Sequence, residues 1–313
     1  MVRLVVDCDT GIDDALALLF LAQSPQVEIV AVGSVHGNVT AALAAANTQR
    51  VFDLVHRSEI PIAVGAARPL AQELQTSGRV HGDDGLGNTN RLPPSRPPVD
   101  GSAAEQIVRL ARAHPAEFTL LATGPLTNLA LALLLEPELP RLIARVVVMG
   151  GAIVVPGNAT AVAEANVWHD PEAADLVLGA GWDLTLVGLD VTMQTILQGD
   201  NLERLQTAAG PIPRFAAEIL EHYLDYYQRF LGFRGCALHD PLAAAIALDP
   251  SLATYEHLPA RVELHGNLTR GQTVVDRRGS RSFYPHSAHA ISIAVHVDAL
   301  KFMNDFLERM EVE

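Results

Sequence analysis

Four carboxylates stand within eight residues near the start of the chain: Asp7, Asp9, Asp13 and Asp14, in the run DCDTGIDDALAL. The apolar run Val2–Val6 before them reads as a buried strand, and Ile12–Ala22 reads as an apolar-rich helix. The acids therefore lie where a strand hands over to a helix, the place where open parallel sheets bind their ligands. Asp7 and Asp9 are two apart and share a face of extended chain, while Asp13 and Asp14 open the helix, whose dipole favours anions. Four converging carboxylates repel one another, and a cation between them removes the conflict. An all-oxygen donor set favours Ca²⁺ or Mg²⁺ over zinc. Taken singly, Asp13 also reads as a helix cap and Asp14 as a first-turn acid. Cys8, flanked by two aspartates, is a poor thiolate and reads as a small buried residue.

Other chemistries are excluded by what the chain lacks. An Asp-x-Asp after an N-terminal strand also opens the haloacid-dehalogenase-type phosphatases, which expect Thr or Val two places after the second Asp. Gly11 occupies that place here, and the single lysine, Lys301, lies near the far end. With 21 of the 22 basic residues being arginine, there is no Gly-Lys phosphate loop and almost no candidate for a Schiff base. Two cysteines, Cys8 and Cys236, are too few for a disulfide framework. The 22 basic against 36 acidic residues leave a net charge of −14, which disfavours nucleic acid and anionic membrane as partners. The N-terminus has no signal-peptide pattern and no apolar run is long enough to span a bilayer, so a soluble cytoplasmic protein is expected.

The elements that must position the acids follow from the pattern of apolar runs. Strand-like runs at Val2–Val6, Val27–Val35, Phe118–Ala122, Arg145–Met149 and Leu184–Leu189 alternate with helical stretches, among them Thr40–His56 and Ile212–Leu231. Alternation of this kind predicts an α/β fold: an open, mostly parallel, doubly wound (Rossmann-like) sheet with helices on both faces. Two stretches, Ser77–Asn90 and Gly150–Asp170, are too rich in Gly and Asn to be elements and read as long loops, either functional or disordered. The short proline cluster Pro93–Pro98 is the best linker candidate but leads straight back into a helix signal, so residues 1–313 read as a single domain.

The run Asp7–Leu18 closely resembles the signature of the inosine–uridine-preferring nucleoside hydrolases. So do HGN at His36–Asn38, RVHGDDGLG at Arg79–Gly87, ATGPLTNLA at Ala122–Ala130 and VVVMGGA at Val146–Ala152. GNATAVAEANVWHDPEAA at Gly157–Ala174 and LHDPLA at Leu238–Ala243 complete the set, in the family's order. The resemblance implies the nucleoside hydrolase fold and hydrolysis of the N-glycosidic bond of free ribonucleosides. It implies a Ca²⁺ site formed by Asp9, Asp14, the Thr123 carbonyl and Asp240, with Asp9 also the general base. It further implies that Asp13, Asn38, Asn158, Glu164 and Asn166 bind the ribose hydroxyls, that His81 and His239 lie near the base, and that the protein is a homotetramer or homodimer.

The residue types suit that role on their own chemistry. Ribose hydroxyls both donate and accept, and Asn, Asp and Glu are the side chains that read them with fixed geometry. Asn158 also reads as a turn residue, and its sequon carries no meaning without a secretory signal. The tripeptide His169-Asp170-Pro171 repeats His239-Asp240-Pro241. Asp170 before Pro and Glu has the form of a helix cap, which leaves Asp240 as the ligand. His239 is either the leaving-group acid or a partner that orients Asp240. His81 is either a second base-side group on a loop that closes over the site or a mobile surface histidine. Tyr223 and Tyr227, four apart on one helix face, are either core packing or the wall and hydroxyl donor of the base pocket. The expected substrates are uridine and other pyrimidine ribonucleosides, with inosine slower; the alternative is a non-catalytic nucleoside-binding protein on the same scaffold.

Overall fold

Strand alternation decides the layering. In β1 (Val2–Cys8), Leu4, Val6 and Cys8 point to one side and Val5 to the other, and both sides are buried. The same split recurs in β4 (Thr119–Ala122) and β5 (Arg145–Met149), where Leu121, Val147 and Met149 join one core while Leu120, Val146 and Val148 join the other. A sheet buried on both faces needs near-continuous apolar strands, which is how these runs read. The computed structural model describes residues 1–278 and 289–312.

With β2 (Val27–Ser34), β3 (Ile62–Val64) and β6 (Leu184–Val187), these strands form a parallel block in the order β3-β2-β1-β4-β5-β6. Two short strands, β7 (Ile196–Gln198) and β8 (Gly235–Ala237), pair antiparallel apart from it. Three later strands extend the main sheet beyond β6. Of these, β9 (Ala253–Val262) runs antiparallel to both β10 (Thr273–Val275) and β11 (Ala290–Val297), and β11 pairs parallel with β6. The expected mostly parallel α/β sheet is therefore present, with an antiparallel edge and a short β3 that the apolar pattern did not signal. The run expected to reach Leu189 stops at Val187, because Gly188 turns the chain into the short helix Leu189–Thr192.

Helices Ile12–Ala22, Ala41–Leu54, Pro211–Leu231, His239–Leu248 and Ala299–Met310 cover one face; Ala103–Ala113, Thr127–Leu135 and Pro171–Leu178 cover the other. Helices Ile12–Ala22 and His239–Leu248 are buried almost all round and pack against each other. Beyond the polar residues of their first turns, both are built mainly from Ala, Leu and Ile, which allows close approach.

Asp170 is the helix cap its surroundings suggested. Its Oδ1 accepts the Ala173 N–H at 3.1 Å, while Oδ2 accepts the Leu70 N–H at 3.0 Å and the Thr127 hydroxyl at 2.7 Å. It thus joins three segments distant in sequence. Asp170→Ala should cost roughly 2–3 kcal/mol, since it removes a cap and strands buried donors. Urea denaturation should show a lower midpoint at unchanged slope, and an unshifted midpoint would show that the three contacts contribute nothing.

Candidate active site

The order of strand addition reverses between β1 and β4, which run parallel, and strand ends at such a switch point open a crevice. Asp7 pairs with Ala122 across that seam, and the Thr123 N–H donates to the Asp7 carbonyl at 2.9 Å. Asp9 and Thr123 thus leave the sheet side by side. Above them, the two buried helices deliver Asp13, Asp14 and Asp240 from their first turns. One carboxylate oxygen from each of these three lies within 4.8 Å of the others, and all three residues are buried. This is a buried acidic triad able to hold a metal ion.

The donor set fits a cation. The Oδ1 of Asp13 is buried without a hydrogen-bond partner, while Oδ2 accepts the Tyr223 hydroxyl at 3.2 Å. Asp14 is more fully held: Oδ1 accepts the Thr123 hydroxyl at 2.8 Å, and Oδ2 accepts the Gly11 N–H at 2.9 Å and the Asn38 amide at 3.1 Å. Burial raises the pKa of both Asp13 and Asp14 to about 6, with the Asp13 charge adding to the effect on Asp14. Burial, followed by neighbouring carboxylates, also raises Asp9 and Asp240 well above the usual range. The helix N-termini offset part of this cost, and a divalent cation would remove the rest.

Asp9 stands beside the triad and is gripped by Asn38, whose N–H reaches Oδ2 at 2.6 Å and whose amide reaches Oδ1 at 3.2 Å. Two glycines make room. A Cβ on Gly37, at φ +154°, would fall 2.0 Å from the Asp9 Oδ2, and one on Gly11 would fall 2.6 Å from the His81 Nδ1. Asp7, by contrast, does not join the cluster, which corrects the expectation of four converging acids. Strand β1 continues to Cys8, so Asp7 still lies within the sheet, where its Oδ1 accepts the Asn128 amide at 2.8 Å. Burial raises it to about 7. Asn128 also accepts the Ala66 N–H and donates to the Ser34 carbonyl, a bridging role with no signal in the sequence beyond its place in the block Ala122–Ala130. Cys8 is buried, as expected, and burial raises its thiol pKa further.

His81 is not a mobile surface residue. It ends a short helix, Gly78–His81, is buried, and its Nδ1 accepts the Ile12 N–H at 3.1 Å, so its proton sits on Nε2. Burial lowers its pKa to about 4, which keeps the ring neutral. His239 has both nitrogens engaged, Nε2 by the Tyr227 hydroxyl at 2.6 Å and Nδ1 by the Thr192 hydroxyl at 2.7 Å. Burial lowers its pKa to about 3. Tyr223 and Tyr227 are buried with their rings edge to face, 4.8 Å apart, so they are core residues whose hydroxyls reach site residues.

The loop over residues 150–170 contains a short helix, Ala165–His169, capped by Glu164. Glu164 Oε1 accepts the Asn166 N–H, and Oε2 accepts those of Gly151 and Val167, so this acid organises the loop. Asn166 donates its amide to the Thr123 carbonyl at 2.7 Å and to the Met149 carbonyl at 3.1 Å, which leaves its own oxygen to accept. Asn158 is exposed and holds the Ala165 N–H at 2.9 Å.

The family profile described as inosine-uridine preferring nucleoside hydrolase matches residues 4–304. The chain is 38% identical to the inosine-uridine preferring nucleoside hydrolase of Crithidia fasciculata, covering 99% of this chain and 97% of that one. It is 36% identical to probable uridine nucleosidase 2 of Arabidopsis thaliana, covering 98% and 97%. A solved plant nucleoside hydrolase superposes with a TM-score of 0.96 at 32% identity, covering 99% of each chain. The chain belongs to the inosine-uridine preferring nucleoside hydrolase family. It is a hydrolase acting on the N-glycosyl bonds of ribonucleosides.

The raised carboxylates tie stability to pH and to cation. An aspartate's ordinary value is 3.8, whereas Asp13 and Asp14 titrate near 6 in the folded, cation-free chain. At these two acids the folded state binds more protons, so their contribution to stability falls as pH rises through about 6. A divalent cation should therefore raise the melting temperature of chelated protein more at pH 7, where the site's acids are ionised, than at pH 5. Scanning calorimetry at the two pH values, with and without the ion, tests this; an equal or larger shift at pH 5 would show that these acids do not hold the ion.

Proposed function

We propose that the protein is a calcium-dependent ribonucleoside N-ribohydrolase, a single domain over residues 1–313 that releases ribose and free base. The observation that carries the reading is the buried acidic triad beside Asp9 at the sheet's switch point. Asp9, Asp14, the Thr123 carbonyl and Asp240 would hold the ion. Asp13, with an unpartnered oxygen in the cluster, would share the ion's surroundings and accept from a ribose hydroxyl. When bound, Ca²⁺ supplies charge that anchors the 2′- and 3′-hydroxyls and makes the attacking water more acidic.

The remaining work falls to the chain's own groups. Cleavage passes through an oxocarbenium-like state in which C1′ gains positive charge and the base negative charge. Asp9, oriented by Asn38, takes the proton of the attacking water. Asn38, Asn158, Glu164 and Asn166 surround the sugar, with Asn166 offering an acceptor and the capped loop keeping its position. This grip on remote hydroxyls is spent on placing C1′. On the base side, His81 offers an Nε2–H, while His239 and Tyr227 form a hydrogen-bonded pair and Tyr223 lines the wall. The favoured substrates are uridine and other pyrimidine nucleosides, with inosine slower. The wider reading is a homotetramer or homodimer acting in the cytoplasm in nucleoside salvage or catabolism. Among the described residues no helix is long and apolar enough to cross a membrane.

Reducing-sugar release from uridine, inosine, 2′-deoxyuridine and uridine monophosphate tests the reading. Uridine should be cleaved. The deoxynucleoside should fall by roughly 10³-fold or more in kcat/KM, because a site built around a hydroxyl rejects its absence strongly. The monophosphate should be inert, since an acidic sugar site repels it. Comparable rates for uridine and deoxyuridine would remove the calcium–diol grip. EDTA treatment and dialysis should abolish activity and Ca²⁺ restore it. Asp9→Ala should lower kcat by at least roughly a hundredfold, the usual contribution of a general base, while calorimetry still detects Ca²⁺ binding, though weakened. Retained turnover would transfer the base role elsewhere.

A further inference from the structure

Thr192 lies outside every motif above, yet its hydroxyl touches His239. It ends the short helix Leu189–Thr192, just beyond β6, and is fully buried. Its Oγ1 is 2.7 Å from the His239 Nδ1, and among the described residues no other hydrogen-bond partner reaches that hydroxyl. On the other side of the ring, Nε2 is 2.6 Å from the Tyr227 hydroxyl. Two arrangements of protons are open. If His239 carried its proton on Nδ1, it would donate to Thr192, and the buried Thr192 hydrogen would have no acceptor. If the proton sits on Nε2, Thr192 donates to Nδ1, Nε2–H donates to the Tyr227 oxygen, and every buried hydrogen up to Tyr227 is satisfied. In the second arrangement the Tyr227 oxygen accepts from His239, and its own hydrogen is left to give either to the adjacent Tyr223 hydroxyl or to a bound base. Tyr227 stands edge to face with Tyr223, whose hydroxyl donates to Asp13, so the chain ends beside the acidic cluster.

Resting on the ribohydrolase reading, we propose that Thr192 is a positioning residue for leaving-group departure. Its hydroxyl sets the His239 tautomer, so that Thr192, His239 and Tyr227 form one chain of hydrogen bonds all directed toward the departing base. Each donor polarises the next, which makes the Tyr227 hydroxyl a stronger donor to negative charge growing on the base. No proton needs to change owner: each group keeps its own while the last hydrogen bond shortens as the glycosidic bond breaks. His239 therefore acts through Tyr227 as a neutral ring.

The test compares a natural leaving group with one that needs no help. Thr192→Val keeps the shape and removes the donor. It should lower kcat/KM for uridine about tenfold, part of the effect of a single donor in such a site. For p-nitrophenyl ribofuranoside, whose phenolate leaves unaided, the change should stay within about twofold, and Thr192→Ser should restore most of the uridine rate. Equal losses on both substrates, or no loss on uridine, would overturn the proposal. Should the valine variant fail to fold, the ¹⁵N spectrum of His239 in the intact protein decides: a proton on Nε2 supports the chain, and one on Nδ1 overturns it. Wild-type protein that released ribose from no nucleoside would instead sink the ribohydrolase reading, a failure visible before any variant is made.

Discussion

The structure is organised around an electrostatic conflict: several carboxylates are buried together at the mouth of the sheet, where each raises the cost of ionising the others. Asp13, Asp14 and Asp240 sit within 4.8 Å of one another, with Asp9 alongside. In water such a cluster would spread apart. It is held here because three of its members ride on the first turns of two helices that are themselves buried and packed together. Those helices cannot move apart without exposing their Leu, Ile and Ala side chains, so hydrophobic packing supports the repulsion. The protein thus holds in advance a charge arrangement that a bound cation would relieve.

Around this cluster lies a layer of polar residues that bind other protein groups and leave selected atoms free. Asn38 locks Asp9, Thr123 locks one oxygen of Asp14, and Asn166 ties the Thr123 carbonyl to the loop above. Glu164 spends both carboxylate oxygens on backbone N–H groups. Such saturation removes alternative conformations, which suits the proposed role of holding C1′ against a water. The glycines of the site have the same purpose in reverse: at Gly11 and Gly37 any side chain would strike His81 or Asp9.

Much of the buried acidic cluster was legible because its chemistry is local. Asp13 and Asp14 follow a strand and open a helix, and the Ala- and Leu-rich run behind them announces burial. Asp170 showed its capping role through the Pro and Glu that follow it, and the structure bears this out. The parallel sheet was legible for a similar reason, since strands buried on both faces are apolar throughout. Where pattern failed, the cause was short length or pairing: β3 has three residues, and the antiparallel edge of β9 to β11 depends on which strand it meets.

By itself, the sequence determined the donor chemistry: an all-oxygen acidic cluster at a strand-to-helix junction, Asn-rich loops suited to a polyol, and buried parallel strands. Each of these is written in neighbouring residues, through two-residue and helical periodicity or the needs of a cap. Only the tertiary structure decided which acids meet. Asp7 and Asp9 look equivalent in the chain, yet Asp7 stays inside the sheet with Asn128 while Asp9 leaves it beside Asn38, because the strand ends between them. Likewise nothing near Thr192 marks it, since its meaning comes from a ring 47 positions away. Long-range contacts of this kind are fixed by the packing of whole elements, and no local pattern encodes them.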